Sequence, residues 1–305
     1  MDGRPINKTM DRDDLFRPDC RRVLIELFAL MRTMQRAGAD YSSWYGQTNP
    51  WPSIWENVNR GPDYEAFPGN PDELRIPWFL LWEISWLVAN TPLRPGGRVL
   101  DMGGAGSLFS CYLANRGHEV VAIDINADLC RHANATARKM GWRYTAVEMD
   151  MTVLDFPQEH FDHIFSVCVF EHLPISGRVR CGEQVRRVLK PGGTAGYTFD
   201  FDNPQAFGRL SHPADVFNQL VRPTGLYWRG RPEFVDSGRR YLSTPQAFGF
   251  GRFTASTAKL HAFVTHAVER KRIVSNTMDY TFGAVFMERR ADTGGQHSAT
   301  DFDRS

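Results

Sequence analysis

Between Arg98 and Ser110 the chain reads RVLDMGGAGSLFS, and no other stretch restricts the fold so tightly. Val99 and Leu100 end a short apolar run that reads as a strand, and Asp101 closes it. Gly103, Gly104 and Gly106 permit a tight turn whose backbone can approach a ligand closely. From Ser107 a helical pattern runs through Phe109, Cys111, Tyr112 and Leu113 to a stop at Gly117. Strand, acid, glycine turn and helix form the opening of a nucleotide-binding crossover unit, in which free N–H groups at the helix start face a ligand.

The alternation continues. Glu119–Ile123 reads as a second strand ending at Asp124, Ala127–Met140 as a helix stopped by Gly141, and Tyr144–Glu148 as a third strand. Phe161–Val167 is a fourth strand, Arg178–Leu189 a helix, Lys190–Thr194 a turn and Ala195–Phe199 a fifth strand. Strands alternating with helices predict a doubly wound parallel sheet. An acid about twenty residues past the glycine turn can accept hydrogen bonds from both hydroxyls of a ribose, the role predicted for Asp124.

Two cofactor classes use such a unit. The dinucleotide fingerprint G-x-G-x-x-G, started at Gly104, needs a third glycine where this chain has Phe109. The glycine loop, Asp124, MDMTVLDFP, FDHIFSVCVFEHLP and LKPGG together resemble, in order and spacing, the small-molecule class I S-adenosylmethionine-dependent methyltransferases. The resemblance covers roughly residues 95–202 and resumes near the C-terminus. The glycines depart from the family pattern, with Ala105 and Ser107 at two alternating positions and Gly104 and Gly106 between them. The resemblance implies a Rossmann-like, seven-stranded, mostly parallel sheet with a closing antiparallel pair, Arg272–Asn276 and Phe282–Glu288. It implies S-adenosylmethionine as methyl donor and S-adenosylhomocysteine as product. Asp101, with Gly103, Gly104 and Gly106, would hold the methionine portion, Asp124 and Ile125 the ribose side, and Asp150 and Met151 the adenine. Ser166 and Val167, leading to Cys168, would lie along the methionine portion.

Length and composition bound the rest. The 305 residues suffice for one large domain with additions, and a formal net charge of +1 favours neither nucleic acid nor membrane. Five scattered cysteines without a C-x-x-C pair suit a reducing cytoplasm. No signal peptide is legible, and the longest apolar stretch, Ile76–Ala89, contains Glu83 and is too short to span a bilayer. Residues 1–92 are expected to form an N-terminal helical and aromatic cap: a loose start over 1–17, an amphipathic helix Asp19–Ala37, an aromatic irregular segment over 39–71 and a helix from near Ile76 to Asn90. The core spans 93–202, a lid-like insertion 203–253 and the rest of the core 254–290, with a helix Thr254–Arg270. A polar tail, 291–305, reads as disordered.

The chemistry has several candidates. His172, with Glu171 beside it, is the predicted general base for an acceptor that must lose a proton. Tyr41, Trp44, Tyr45 and Trp228 are predicted to line the pocket of a small-molecule acceptor. Asp200 and Asp202 follow the fifth strand and read as solvated loop acids. Some relatives hold a divalent ion with E-x-x-E-H, but Cys168 stands at the first position here, so no metal is expected. His212 and His261 have no supporting ligand pattern, and His261 and His266 are spaced for different helix faces. Transfer to oxygen is preferred over nitrogen or carbon. A protein that binds the same cofactor without transfer, and a nicotinamide-dependent oxidoreductase, are the alternatives. Oligomeric state is not legible.

Overall fold

The computed structural model of the chain describes residues 4–42, 78–203, 208–242 and 279–291. Five parallel strands form its centre: β2 (Arg98–Met102), β3 (Glu119–Asp124), β4 (Tyr144–Glu148), β5 (Phe161–Val167) and β6 (Leu189–Phe201). They lie in the order β6-β5-β2-β3-β4, continued beyond β6 by antiparallel β9 (Asp279–Glu288) and then by β1 (Lys8–Thr9). That path has seven strands; two short ones, β7 (Tyr227–Trp228) and β8 (Tyr241–Leu242), also pair with β9. The Rossmann-like sheet read from the sequence is therefore present. Strand order reverses between β2 and β5, so the loops leaving their C-terminal ends diverge and open a crevice there.

Alternation along the strands divides the core into two layers. Val99, Val120, Ala122, Phe165, Ala284 and Phe286 face one cluster, and Leu100, Ile123, Ile164, Tyr197, Phe199 and Val285 face the other. The first layer is closed by α2 (Trp78–Asn90), α3 (Leu108–Asn115) and α4 (Ala127–Met140). Gly141, in the left-handed region at φ +68°, ends α4 as expected. Outside α2 lies α1 (Pro18–Arg36), which buries Val23, Leu24, Leu27, Phe28 and Met31, each contributing roughly 1.5–3 kcal/mol by leaving water. The second layer is closed by α5 (Ile175–Val188), with Cys181, Val185 and Val188 inward.

Two expectations change, at the N-terminus and at the start of β6. Residues 1–17 were expected to be loose, yet Lys8 and Thr9 pair with Ala284 and Gly283. Asn7, 1% exposed, fixes this strand: its Nδ2 donates to the carbonyls of Arg229 and Arg231, and its Oδ1 accepts the Phe286 N–H at 2.7 Å. Of the expected cap, α2 packs against β6 and β9 and also brings Leu80, Glu83 and Ile84 to the crevice at the strand ends. Lys190–Thr194, expected as a turn, lies within β6, where the register with β5 jumps from Phe161↔Leu189 to His163↔Thr194. Of the insertion, residues 203 and 208–242 are described, and none of these lines the crevice. After α6 (Pro213–Val216) and a wide turn over Phe217–Val221, Leu220 and Val221 enter the second layer. Pro223 then sits against Gly182 of α5, and β7 joins β9. The aromatic segment beyond Ser42, the helix Thr254–Arg270, the strand Arg272–Asn276 and the tail from residue 292 lie outside the described residues. No helix among the described residues is long and apolar enough to cross a membrane.

Candidate active site

The crevice at the strand-order reversal is an open cleft of about 660 Å3, solvent included. Gly103, Gly104 and Ser107 line it from β2, Asp124 from β3, Val167, Cys168 and Val169 from β5, and Glu83 from α2. The glycine loop is shaped by close packing. Gly103 has φ +80°, its N–H donates to the Ile123 carbonyl at 2.8 Å, and a β-carbon there would stand 2.5 Å from Val169 Cγ1. Gly106, at φ +72°, donates its N–H to the Tyr144 hydroxyl at 2.8 Å.

Asp101 lies beneath the loop rather than in the cleft wall. Its Oδ2 accepts the hydroxyls of Ser107 (3.0 Å) and Ser110 (2.7 Å), while its buried Oδ1 has no hydrogen-bond partner. Burial raises its carboxyl to about 6 against the opposing pull of the two serines. Asp101 therefore organises the loop, with Ser107 also capping α3 by accepting the Ser110 N–H. Phe109, which displaced the dinucleotide fingerprint, is buried edge-on against Phe165 at 5.0 Å.

Asp124 accepts the Asn126 N–H at 2.9 Å, and burial raises its carboxyl despite hydrogen bonds from neighbouring backbone. Beside it Ile125 is 78% exposed, an apolar side chain left in water at the cleft's edge. Asp150 is exposed and accepts the Thr152 N–H at 2.7 Å, at the end of the strand next to Asp124's. Met151 is buried. Ser166 points into the protein, where its hydroxyl accepts the Phe170 N–H. Of the predicted cofactor residues, the cleft wall brings together Gly103, Gly104, Asp124 and Val167, with Ile125 and Asp150 on the same strand edge.

The predicted catalytic and acceptor residues are rearranged. His172 is exposed, and Glu171 is 2% exposed and turned inward. Glu171 Oε1 accepts the Asp200 N–H at 3.1 Å, and its Oε2 has no hydrogen-bond partner among the described residues. Burial, then Asp200, pushes the Glu171 carboxyl well above the usual range. Asp200, read as a solvated loop acid, is instead part of this cluster: burial raises its carboxyl, and its Oδ2 accepts the Asn203 amide at 2.7 Å. Trp228 stacks on Phe217, and its strand pairs with Met287 toward the N-terminal ends of the parallel strands, at the opposite end of the sheet from the cleft. Tyr41 packs against the first core layer; Trp44 and Tyr45 lie outside the described residues. His212 caps α6 by accepting the Ala214 N–H, and His261 lies outside the described residues.

Glu83, an acid in the wall, was not among the predicted site residues. Glu83 is fully buried, and burial raises its carboxyl to about 8, against a partial opposing pull from Cys168 and Thr198. Its Oε1 accepts the Cys168 thiol at 2.5 Å, and its Oε2 has no hydrogen-bond partner among the described residues. Cys168 reaches it from a strained φ of +50° just past β5. The signal was a single acid inside WFLLWEISWLVAN, a helix apolar on every side. Donor atoms of Cys168, Glu171 and Asp200 lie within 4.8 Å of one another, close enough to surround one small cation.

Comparisons with known proteins bear on this geometry. Residues 99–193 match the family described as a methyltransferase domain. An uncharacterized methyltransferase of Mycobacterium sp. (strain JLS) is 37% identical over 116 residues, 38% of this chain and 42% of the relative. An uncharacterized protein of Mycobacterium tuberculosis (strain H37Rv) is 29% identical over 152 residues, 49% of this chain and 54% of the relative. The chain spans about half the length of the curated relatives it matches. Among solved structures, the [4+2]-cyclase SpnF superposes with a TM-score of 0.51 at 17% identity, over 88% of this chain and 95% of that one. A protein from Galdieria sulphuraria, provisionally assigned as a sarcosine dimethylglycine methyltransferase, gives 0.53 at 14% identity, over 86% and 98%. These two share the fold.

Proposed function

We propose that this chain, which carries a class I methyltransferase domain, transfers a methyl group from S-adenosylmethionine to a small-molecule acceptor. The observation that supports this most is the cleft at the strand-order reversal, where Gly103 and Gly104 approach without side chains and Asp124 supplies a carboxylate. The residues fit the donor. Asp124 would hold the ribose hydroxyls, exposed Ile125 would flank the base, and Asp150 and Met151 would border the adenine. Gly103 and Gly104, held over Asp101, would face the methionine portion.

When bound, the donor supplies an electrophilic methyl on a sulfonium. The protein's part is then to align a nucleophile, exclude water and accept a proton. Val167, Cys168 and Val169 form the wall toward which an acceptor would be pressed, and Glu83 places a carboxyl in that wall. Phe109 fills the position where a dinucleotide loop needs glycine, which weighs against a nicotinamide enzyme.

Calorimetric titration with S-adenosylhomocysteine tests the reading. Micromolar binding by the wild type that collapses in Asp124→Ala is expected. Binding of NADH with none of S-adenosylhomocysteine overturns it.

A further inference from the structure

Cys168 and Glu171 belong to the FDHIFSVCVFEHLP stretch, and Glu83 and Asp200 join them from outside it. Glu83 from α2, Glu171 from the turn after β5 and Asp200 from β6 converge on the Cys168 thiol. Among the described residues, the charged groups that face it are acidic with two exceptions. Exposed His172 acts on Asp200 from the outside, and buried Arg178 acts on Glu171. The Arg178 guanidinium is already committed to the carbonyls of Glu171, Leu173 and Gly208 and to Gln219. Buried carboxyls without a cation to pair with are costly unless protonated.

The cluster's satisfied atoms are as informative as its free ones. The Cys168 thiol donates to Glu83, Asn203 donates to Asp200, and the Asp200 N–H donates to Glu171. A metal ion would have to displace these donors. Among the described residues, the buried acceptor oxygens Glu83 Oε2 and Glu171 Oε2 remain without a hydrogen-bond partner, as does the nearby buried Thr198 hydroxyl that acts on Glu83; Glu83 lies in the cleft wall. Acceptor oxygens lacking donors match an N–H-bearing cation.

We propose that the acceptor is an amine, received through the carboxyl of Glu83 as an ammonium and handed its reactive form by loss of a proton to that carboxylate. This rests on the methyltransferase reading above and names the acceptor class for the same cleft. The nitrogen lone pair forms the new N–C bond as the methyl C–S bond breaks, with that electron pair staying on sulfur. The methylated nitrogen leaves carrying the positive charge that the sulfonium brought. Nitrogen thereby replaces the oxygen preferred from the sequence, which depended on His172 as a base; His172 is exposed and outside the cleft wall. Glu83 is assigned as a catalytic residue, and Asp200 and Glu171 as positioning residues.

The test uses the full chain in two stages. Calorimetry with S-adenosylhomocysteine alone reads the cofactor site, so its failure sinks the methyltransferase reading and is distinguishable from failure of the amine assignment. The protein saturated with S-adenosylhomocysteine is then titrated near neutral pH with ethylamine, benzylamine and ethanolamine, and with ethanol, benzyl alcohol and ethylene glycol. Saturable binding of an amine is expected, with release of about one proton read from buffers of different ionisation enthalpy, and no binding of its alcohol analogue. In Glu83→Gln the proton release should vanish, and turnover of the bound amine should fall roughly 100-fold or more; Asp200→Asn should weaken binding while keeping the release. Binding of alcohols but not amines, or of none of the six, overturns the assignment. So does stoichiometric Zn2+ or Mn2+ binding that Cys168→Ser abolishes. A Glu83→Gln variant that loses affinity only for S-adenosylmethionine relative to S-adenosylhomocysteine, with amine turnover intact, overturns it too, since Glu83 would then serve the sulfonium.

Discussion

A β-carbon on Gly104 would stand 1.9 Å from Asp101 Oδ2, so the glycine loop is moulded directly onto the carboxyl that ends β2. Asp101 cannot step aside, because Ser107 and Ser110 hold the same oxygen. Gly104→Ala should therefore displace the loop rather than be absorbed by it. We expect a stability loss of about 1–3 kcal/mol in denaturant unfolding, and at least about a tenfold loss of S-adenosylhomocysteine affinity, each tenfold being about 1.4 kcal/mol. Unchanged affinity would mean that the cleft does not use the loop.

Glu83 should make the protein less stable as pH rises. Its carboxyl moves from an ordinary 4.5 to about 8 in the fold, chiefly by burial. The folded state therefore holds a proton that the unfolded chain has released across that window. Stability attributable to the group is full below about 4.5 and is lost progressively as pH climbs to about 8, on the order of several kcal/mol in total. Glu83→Gln keeps the neutral shape, so its melting temperature should exceed that of the wild type above pH 8, with the gap closing toward pH 5. Parallel melting curves across pH would contradict this.

His163 acts in the opposite direction. It is 2% exposed, its Nε2 accepts the Arg94 N–H at 3.1 Å, and its Nδ1 lies 2.8 Å from the Thr194 hydroxyl. Burial lowers it from 6.5 to about 4. The unfolded chain takes up a proton that the fold refuses, so stability is complete above about 6.5 and declines as pH falls toward 4, by about 3 kcal/mol. Urea unfolding of the wild type and of His163→Gln between these values checks it: the variant should lose that part of the slope.

Asn7→Ala should loosen the N-terminal strand. It removes two donors and one acceptor from a buried position, leaving the carbonyls of Arg229 and Arg231 and the N–H of Phe286 unpaired. A loss of about 2–4 kcal/mol is expected from chemical denaturation, with faster amide exchange at Lys8, Thr9 and Ala284. Exchange unchanged at these three amides would show that the strand is held by other contacts.

The core was legible in the sequence because its signals are local. Alternation in Val99–Leu100 and Val120–Ile123 sets which side chain faces which layer, and a glycine loop between strand and helix is a steric requirement of neighbouring residues. The role expected of Asp124 came from spacing along one crossover, whereas those of Asp150, Met151, Ser166 and Val167 came only from the resemblance. The N-terminal strand escaped notice because two residues, Lys8 and Thr9, carry no periodicity; their structure comes from β9, which lies far along the chain. Trp228 was misplaced for a related reason. An aromatic in an irregular insertion does not reveal at which end of the sheet it docks, and pairing with Met287 put it at the end away from the cleft.

By itself, then, the sequence determined the alternation of strands and helices that builds the parallel sheet and the glycine turn after its first long strand, since period and steric turn chemistry act within a few tens of residues. Only the tertiary structure decided which acids meet. Glu83 and Cys168 are 85 positions apart and touch because the packing of α2 against β6 and β9 carries a buried carboxyl to the end of β5. That meeting is a property of packed surfaces, set by the complementary shapes of side chains from separate elements, and no local pattern in the chain encodes it.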